Sequence, residues 1–70
     1  MVPQSRCLLT RRELEILQHI AEGETDREIA VALGIGNRTV DTHVTHILQK
    51  FGVTSRTAAT SKAIRDGIIE

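Results

Sequence analysis

Residues 36–52 read GNRTVDTHVTHILQKFG, and the spacing of their apolar side chains decides the fold of the chain. Those side chains recur every three or four residues, so they share one face of a helix. They are Val40, Val44, Ile47, Leu48 and Phe51. The opposite face is polar and can both donate and accept hydrogen bonds. It carries Arg38, Thr42, Thr45 and Gln49, with Asp41 and His46 on its flanks.

Two capping boxes predict two helices before this stretch. Thr10 is spaced from Glu13, and Thr25 from Glu28, so that each side chain satisfies a backbone amide of the other residue. We expect the first helix to end near Gly23, since glycine enters the left-handed conformation without strain. The stripe predicted to be buried in this helix consists of Leu14, Leu17, Ile20 and Ala21, with Ile16 beside it.

A fourth helix is predicted over residues 56–66, capped by Ser55. Its small side chains permit close helix approach, which suits core packing and a helix–helix dimer contact equally well. They are Thr57, Ala58, Ala59, Thr60, Ser61 and Ala63. The fold class expected is therefore all-α, a bundle of four helices. Residues 1–8 are expected to be a flexible arm or linker stub, and residues 9–70 the folded domain.

The composition narrows the class of protein. The chain has 70 residues and a single cysteine, Cys7, so an internal disulfide is impossible and a reducing compartment is favoured. Residues 1–7 do not resemble a signal peptide and no apolar run is long enough to span a membrane, so we expect a cytoplasmic protein without a membrane partner. The formal net charge is +0, which counts against nucleic-acid binding. The stretch from Gly36 to Lys62 is more basic, carrying Arg38, Lys50, Arg56 and Lys62 against Asp41.

The second and third helices, joined by a short turn containing glycine, form the pattern of a helix-turn-helix. In that motif the first helix crosses the DNA backbone, and the second lies in the major groove with its outward side chains at the base edges. No catalytic arrangement is discernible, so we expect neither an enzyme nor a cofactor. His43 and His46 have metal-ligand spacing, but no further ligand lies nearby, so no metal site is predicted.

Several linked segments resemble the LuxR-type helix-turn-helix family, in order and with its spacing from residue 9 to residue 69. They are Leu9-Thr10-x-Arg12-Glu13-x-Glu15-x-Leu17, Glu28-Ile29-Ala30-x-x-Leu33, Thr39-Val40-x-x-His43-x-x-x-Ile47-x-x-Lys50-Phe51, Val53-x-Ser55-Arg56-Thr57-x-Ala59 and Gly67-Ile68-Ile69. The resemblance implies a bacterial transcription regulator that binds an inverted-repeat promoter element as a dimer. The third helix would read double-stranded DNA, and the fourth would form most of the homodimer contact. RNA polymerase is a further candidate partner.

The resemblance also implies a role for particular side chains. Base reading is expected from Asp41, Thr42, Thr45 and Gln49. Phosphate binding is expected from Arg27, Arg38, Thr39, His43 and Lys50. The dimer contact is expected at Ala58, Ala59, Lys62 and Ala63.

Two positions depart from the family pattern. Asp41 stands where the family usually has lysine, and Gly36 stands where it usually has a serine cap. A carboxylate at residue 41 repels phosphate but can accept a hydrogen bond from a cytosine amino group. Both changes predict weaker and more sequence-dependent DNA binding. The alternative function is a protein-interaction or dimerisation module with the same fold and little DNA affinity.

Overall fold

The computed structural model describes residues 9–69, and within that range it contains helices and no strand. The helices are α1 (Arg11–Ala21), α2 (Asp26–Leu33), α3 (Asn37–Phe51) and α4 (Arg56–Arg65). The predicted all-α fold with four helices is confirmed. None of these helices is long and apolar enough to cross a bilayer. The predicted arm, residues 1–8, lies outside the described residues, as does Cys7 within it.

The predicted caps begin three of the helices. At α1, the backbone N–H of Glu13 donates to Thr10 Oγ1 at 3.1 Å, and the backbone N–H of Thr10 donates to Glu13 Oε1 at 2.9 Å. Thr25 and Glu28 make the same reciprocal pair at α2, at 3.2 and 2.8 Å. Ser55 Oγ accepts from a backbone N–H of α4 at 3.1 Å. These three helices therefore begin at the residues that local chemistry favours.

Glycines with positive φ end α2 and α3 in the same way. Gly34 has φ 69° and Gly52 has φ 70°, a conformation that glycine adopts without cost. The next residue in each case, Ile35 or Val53, donates its backbone N–H into the last turn of the preceding helix, at 3.0 and 3.1 Å. These turns hold the Ile35 and Val53 side chains partly buried against the core.

Helix α3 lies at the centre of the bundle and packs against α1, α2 and α4. Its apolar stripe is buried as predicted at Val40, Val44, Ile47 and Phe51, with Leu48 partly buried beside it. Burial of aliphatic side chains on one helix by three others gives the chain a single core. The other buried apolar residues are Ile16, Leu17, Ile29, Ala30, Ala59, Ala63 and Ile69.

The predicted stripe of α1 is wrong at two positions. Leu14 is 36% exposed and Ala21 is exposed, whereas Ile16 and Leu17 are fully buried. The inward face instead begins at Glu13, which is only 3% exposed and lies one turn before Ile16 and Leu17. Helix α1 is thus rotated about its axis relative to the prediction. The charged residue Glu13 occupies the first inward position.

The small side chains of α4 serve the core of the chain itself. Ala59 and Ala63 are 1% and 0% exposed and pack in the apolar cluster with α3. Their side chains lie in this core and not on the open face of α4, and their part in a dimer contact stays a prediction. The other two residues of that prediction, Ala58 and Lys62, are partly exposed.

Candidate nucleic-acid interface

The outward face of α3 is an exposed polar surface on a helix whose other side is fixed in the core. We call this the α3 face and define it by its exposed side chains, which are Arg38, Thr39, Asp41, Thr42, Thr45, His46 and Gln49. All four side chains predicted to read bases belong to it. Because the buried stripe anchors the helix on three neighbours, the α3 face is held on a rigid support rather than on a loop.

Two local features shape the first turns of α3. Gly36 is the N-cap, in an extended conformation with φ −80°, and it provides no side-chain hydrogen bond. Thr42 is back-bonded to its own helix, since its Oγ1 donates to the carbonyl of Arg38 at 3.0 Å. The Thr42 hydroxyl proton is thereby used within the protein, and the side chain presents acceptor lone pairs and a methyl group outward.

Lys50, predicted to bind phosphate, is paired inside the protein. Its Nζ donates to Glu13 Oε1 at 2.7 Å, and this is the same oxygen that caps α1. Burial raises the pKa of Glu13, but the hydrogen bonds from Lys50 and from the Thr10 backbone outweigh it, and the pKa lies below its ordinary value. Glu13 is therefore a carboxylate, and Lys50 supplies its counter-charge.

Arg56 joins the beginning of α4 to the beginning of α2. Both terminal nitrogens of its guanidinium donate hydrogen bonds to the Asp26 carboxylate, and the distance from Nη2 to Oδ2 is 2.8 Å. The hydrogen bond lowers the pKa of Asp26 and raises that of Arg56, and the more distant charge of Asp41 adds to the effect on Arg56. Arg56 is therefore held in an ion pair within the chain.

Fewer basic side chains after Gly36 are available to a ligand than the sequence suggested. Lys50 and Arg56 are paired as described, and Lys62 lies 3.7 Å from Asp66 one turn later. Within residues 9–69, Arg27 and Arg38 make no ion pair, and both are exposed. These two arginines are the phosphate-binding candidates whose charge is fully available.

The two histidines of α3 differ in their surroundings. His43 is partly buried, and its Nδ1 has no hydrogen-bond partner within the described part of the chain. Because the Nδ1 atom itself is buried, any contact of His43 with a ligand must use Nε2. His46 is 52% exposed, and its Nδ1 lies 4.0 Å from Glu13 Oε2, at the edge of the Glu13–Lys50 pair.

One group of side chains was not anticipated from the sequence. His19, Glu22 and Glu24 bring their ligand atoms within 4.8 Å of one another where α1 ends. His19 Nδ1 is hydrogen-bonded to Glu24 Oε1 at 2.8 Å, which accounts for the approach of these two side chains. A shallow groove of about 320 Å³ lies beside them, between the end of α1 and the beginning of α4. Neither feature includes a residue of the α3 face.

The sequence of the chain matches a known protein family over most of its length. Residues 7–63 match the family described as "Bacterial regulatory proteins, luxR family". The transcriptional activator protein SolR of Ralstonia solanacearum is 44% identical over 69 residues, which cover 99% of this chain and 29% of SolR. The transcriptional regulatory protein LiaR of Bacillus subtilis is 51% identical over 61 residues, covering 87% of this chain and 29% of LiaR.

A further relative is similar in length to this chain. The spore germination protein GerE of Bacillus subtilis is 39% identical over 67 residues, which cover 96% of this chain and 90% of GerE. The solved structure of the transcription factor GerE superposes with a TM-score of 0.81 at 37% identity, covering 86% of this chain and 90% of that one. By contrast, the chain spans less than a third of the length of SolR and LiaR.

Proposed function

This chain belongs to the luxR family of bacterial regulatory proteins and is a DNA-binding helix-turn-helix domain of that family, and we propose that it binds an inverted-repeat promoter element as a dimer. In this proposal α3 enters the major groove of double-stranded DNA. The family consists of transcription regulators and not of enzymes. The proposed partner is chromosomal DNA, which corresponds to action in the cytoplasm, and RNA polymerase is proposed as a further partner.

The observation that carries the proposal is the division of α3 into two faces. One face is buried by the other helices, and the α3 face stands free with side chains that can contact base edges. The major groove is wide enough to admit one α-helix. A polar face opposite a buried stripe is found on many surface helices, and here it supports the proposal because α3 is the second helix of a helix-turn-helix.

The predicted roles can now be assigned to positions around α3. We propose base reading by Asp41, Thr42, Thr45 and Gln49, which run along the α3 face. We propose phosphate contacts by Arg27 and Arg38, whose charges are available, and by Thr39 and His43 beside them. Lys50 is hydrogen-bonded to Glu13, and we propose that it fixes the end of α3 as well as contacting a phosphate.

The proposed dimer contact is the open side of α4. Ala58 and Lys62 remain candidates there because both are partly exposed. Ile64 on the same helix is 50% exposed, but at 100° per residue it lies about 160° around the helix from Lys62 and so belongs to a different side. Two copies joined through α4 would present two α3 faces, as a site with two half-sites requires.

The alternative, a protein-interaction module, is favoured by one specific observation. Three of the four basic residues between Gly36 and Lys62 are paired with carboxylates of the same chain, and the net charge is +0. A DNA-binding surface of this kind has few cations to offer to the phosphates. Salt distinguishes the two functions, because phosphate contacts weaken steeply as salt rises, whereas an aliphatic helix contact barely responds.

The test is fluorescence anisotropy of a labelled duplex pool, measured with this protein at several salt concentrations. Two available arginines per protomer predict a slope of log affinity against log salt of about −4 for a dimer, at roughly −0.9 per neutralised phosphate. Arg38→Ala should flatten the slope by about 2 per dimer, while Arg12→Ala, on α1, should leave it unchanged. A folded protein that binds no duplex at any salt concentration would reject DNA binding and favour the interaction module.

A further inference from the structure

We propose that Asp41 and Thr42 form a pair of hydrogen-bond acceptors that selects operators with cytosine at a fixed position of each half-site. The proposal rests on the proposed function, since it concerns the bases read by the same helix. It adds which base the preferred DNA sequence contains and which hydrogen bond selects that base. The evidence comes from the partners that these two side chains have and lack in the folded chain.

Thr42 cannot act as a donor without breaking an existing hydrogen bond. Its hydroxyl proton points to the carbonyl of Arg38, one turn earlier, at a distance of 3.0 Å. The oxygen of Thr42 keeps its lone pairs toward the outside, because the residue is exposed. A base edge opposite Thr42 therefore meets an acceptor and a methyl group.

Asp41 is an acceptor of the same kind with a full negative charge. It is exposed, and within residues 9–69 it makes no hydrogen bond and no ion pair. Its charge contributes to raising the pKa of Arg56, but both terminal nitrogens of that guanidinium are occupied by Asp26. When the Asp41 carboxylate enters a DNA groove, it loses its bound water, and no protein group donates a hydrogen bond in its place. It therefore needs a hydrogen-bond donor from a base.

Cytosine is the base whose edge fits this need. In the major groove the donors are the amino groups of cytosine and adenine. The adenine amino group lies between two acceptors, N7 of the same base and O4 of thymine, which repel a carboxylate. The cytosine amino group has the guanine O6 on one side only, and the other side carries a C–H group. A carboxylate can approach from that side without meeting a second acceptor.

The same arrangement lowers affinity for all other sequences. The Asp41 carboxylate is repelled by the phosphates of any duplex, and only a matching amino group compensates for this. Asp41 thus gives a domain with few available cations a higher ratio of specific to non-specific binding. A neutral side chain of the same shape should raise the affinity for non-matching duplexes and lower the ratio of specific to non-specific binding.

The experiment is selection of binding sequences from a randomised duplex pool with the whole 70-residue chain. Wild type, Asp41→Asn and Thr42→Val are compared, followed by anisotropy on the recovered duplex and on versions with one base pair changed. Glu15→Gln is the matched control, since it removes one negative charge from an exposed position on α1. Circular dichroism establishes that each variant is folded.

We expect wild type to recover sequences with an invariant cytosine in each half-site, and to lose roughly tenfold in affinity when that base pair is replaced. Asp41→Asn should reduce this discrimination to about twofold and should bind random duplex more tightly, and Thr42→Val should also weaken the discrimination at that base pair. Glu15→Gln should keep the wild-type preference. If Asp41→Asn recovers the same sequences with the same discrimination, the acceptor pair is refuted and DNA binding stands. If no folded protein enriches any sequence, the acceptor pair and the proposed function both fail.

Discussion

Glu13 shows how much a single side chain contributes to both the fold and the candidate interface. One of its oxygens accepts from the Thr10 backbone and from Lys50, so the carboxylate caps α1 and holds the end of α3 at once. A buried carboxylate without a counter-charge is costly, whereas a buried pair with its hydrogen bonds satisfied is tolerated. Lys50 is therefore the residue that makes the inward position of Glu13 possible.

Removal of Lys50 alone should cost more than removal of both charges. We expect Lys50→Met to destabilise the fold by about 2 kcal/mol, because it leaves the Glu13 carboxylate buried without its cation. Adding Glu13→Gln should recover part of that loss, since a neutral amide still offers an oxygen to the Thr10 backbone and requires no cation. Urea denaturation of wild type, both single variants and the double variant measures the coupling. Strictly additive changes would show that the two side chains do not depend on each other.

At the scale of helices, the short connection between α2 and α3 sets the position of the helix that carries the α3 face. It contains two glycines with different backbone conformations, and neither has any atom within 4 Å of an added Cβ. Gly34 is left-handed with φ 69°, whereas Gly36 is extended with φ −80°. Only Gly34 needs to be glycine for conformational reasons. Gly36 is an N-cap that lacks the side-chain oxygen which most caps supply.

Serine substitution should therefore have opposite effects at the two glycines. Gly36→Ser should stabilise the domain by a few tenths of a kcal/mol, because the hydroxyl can accept from the first turn of α3. Gly34→Ser should destabilise it by about 1 kcal/mol, because a Cβ is strained at positive φ. Thermal unfolding should show a melting temperature about 4–8 °C lower for Gly34→Ser and slightly higher for Gly36→Ser. An equal loss at both positions would mean that lack of space, not backbone conformation, decides the outcome.

Local patterns predicted the helices well and the packing of α1 less well. The Thr10, Thr25 and Ser55 caps, the α3 stripe and the glycine ends are local in sequence, so spacing reveals them. The rotation of α1 depends on the contact of Glu13 with Lys50, which lies 37 residues later. No local pattern shows that a glutamate will find its cation there. The partners of Arg56 and the burial of Ala59 and Ala63 were hidden for the same reason, since each depends on a distant helix.

At the scale of the whole molecule, ion pairs between helices neutralise several charges within the bundle. The α3 face presents side chains that can form hydrogen bonds. The ion pairs between helices, Glu13 with Lys50 and Asp26 with Arg56, join α1 to α3 and α2 to α4. They fix the helices around the core but remove two cations from the surface. What remains outward on α3 is a polar strip with one available arginine and one aspartate. Such a surface is suited to recognition by hydrogen bonds more than by net charge.

The central claim, that the α3 face is the surface that contacts DNA, is tested most directly by nuclear magnetic resonance of the isotope-labelled chain. The amide signals of the free protein are compared with those after addition of the duplex recovered by selection. We predict that the largest shift changes fall on residues 38–49 of α3 and on Arg27, with smaller changes on the open side of α4 as the dimer forms. Large changes confined to α4 or to the groove beside α1, with the signals of α3 unmoved, would contradict the account.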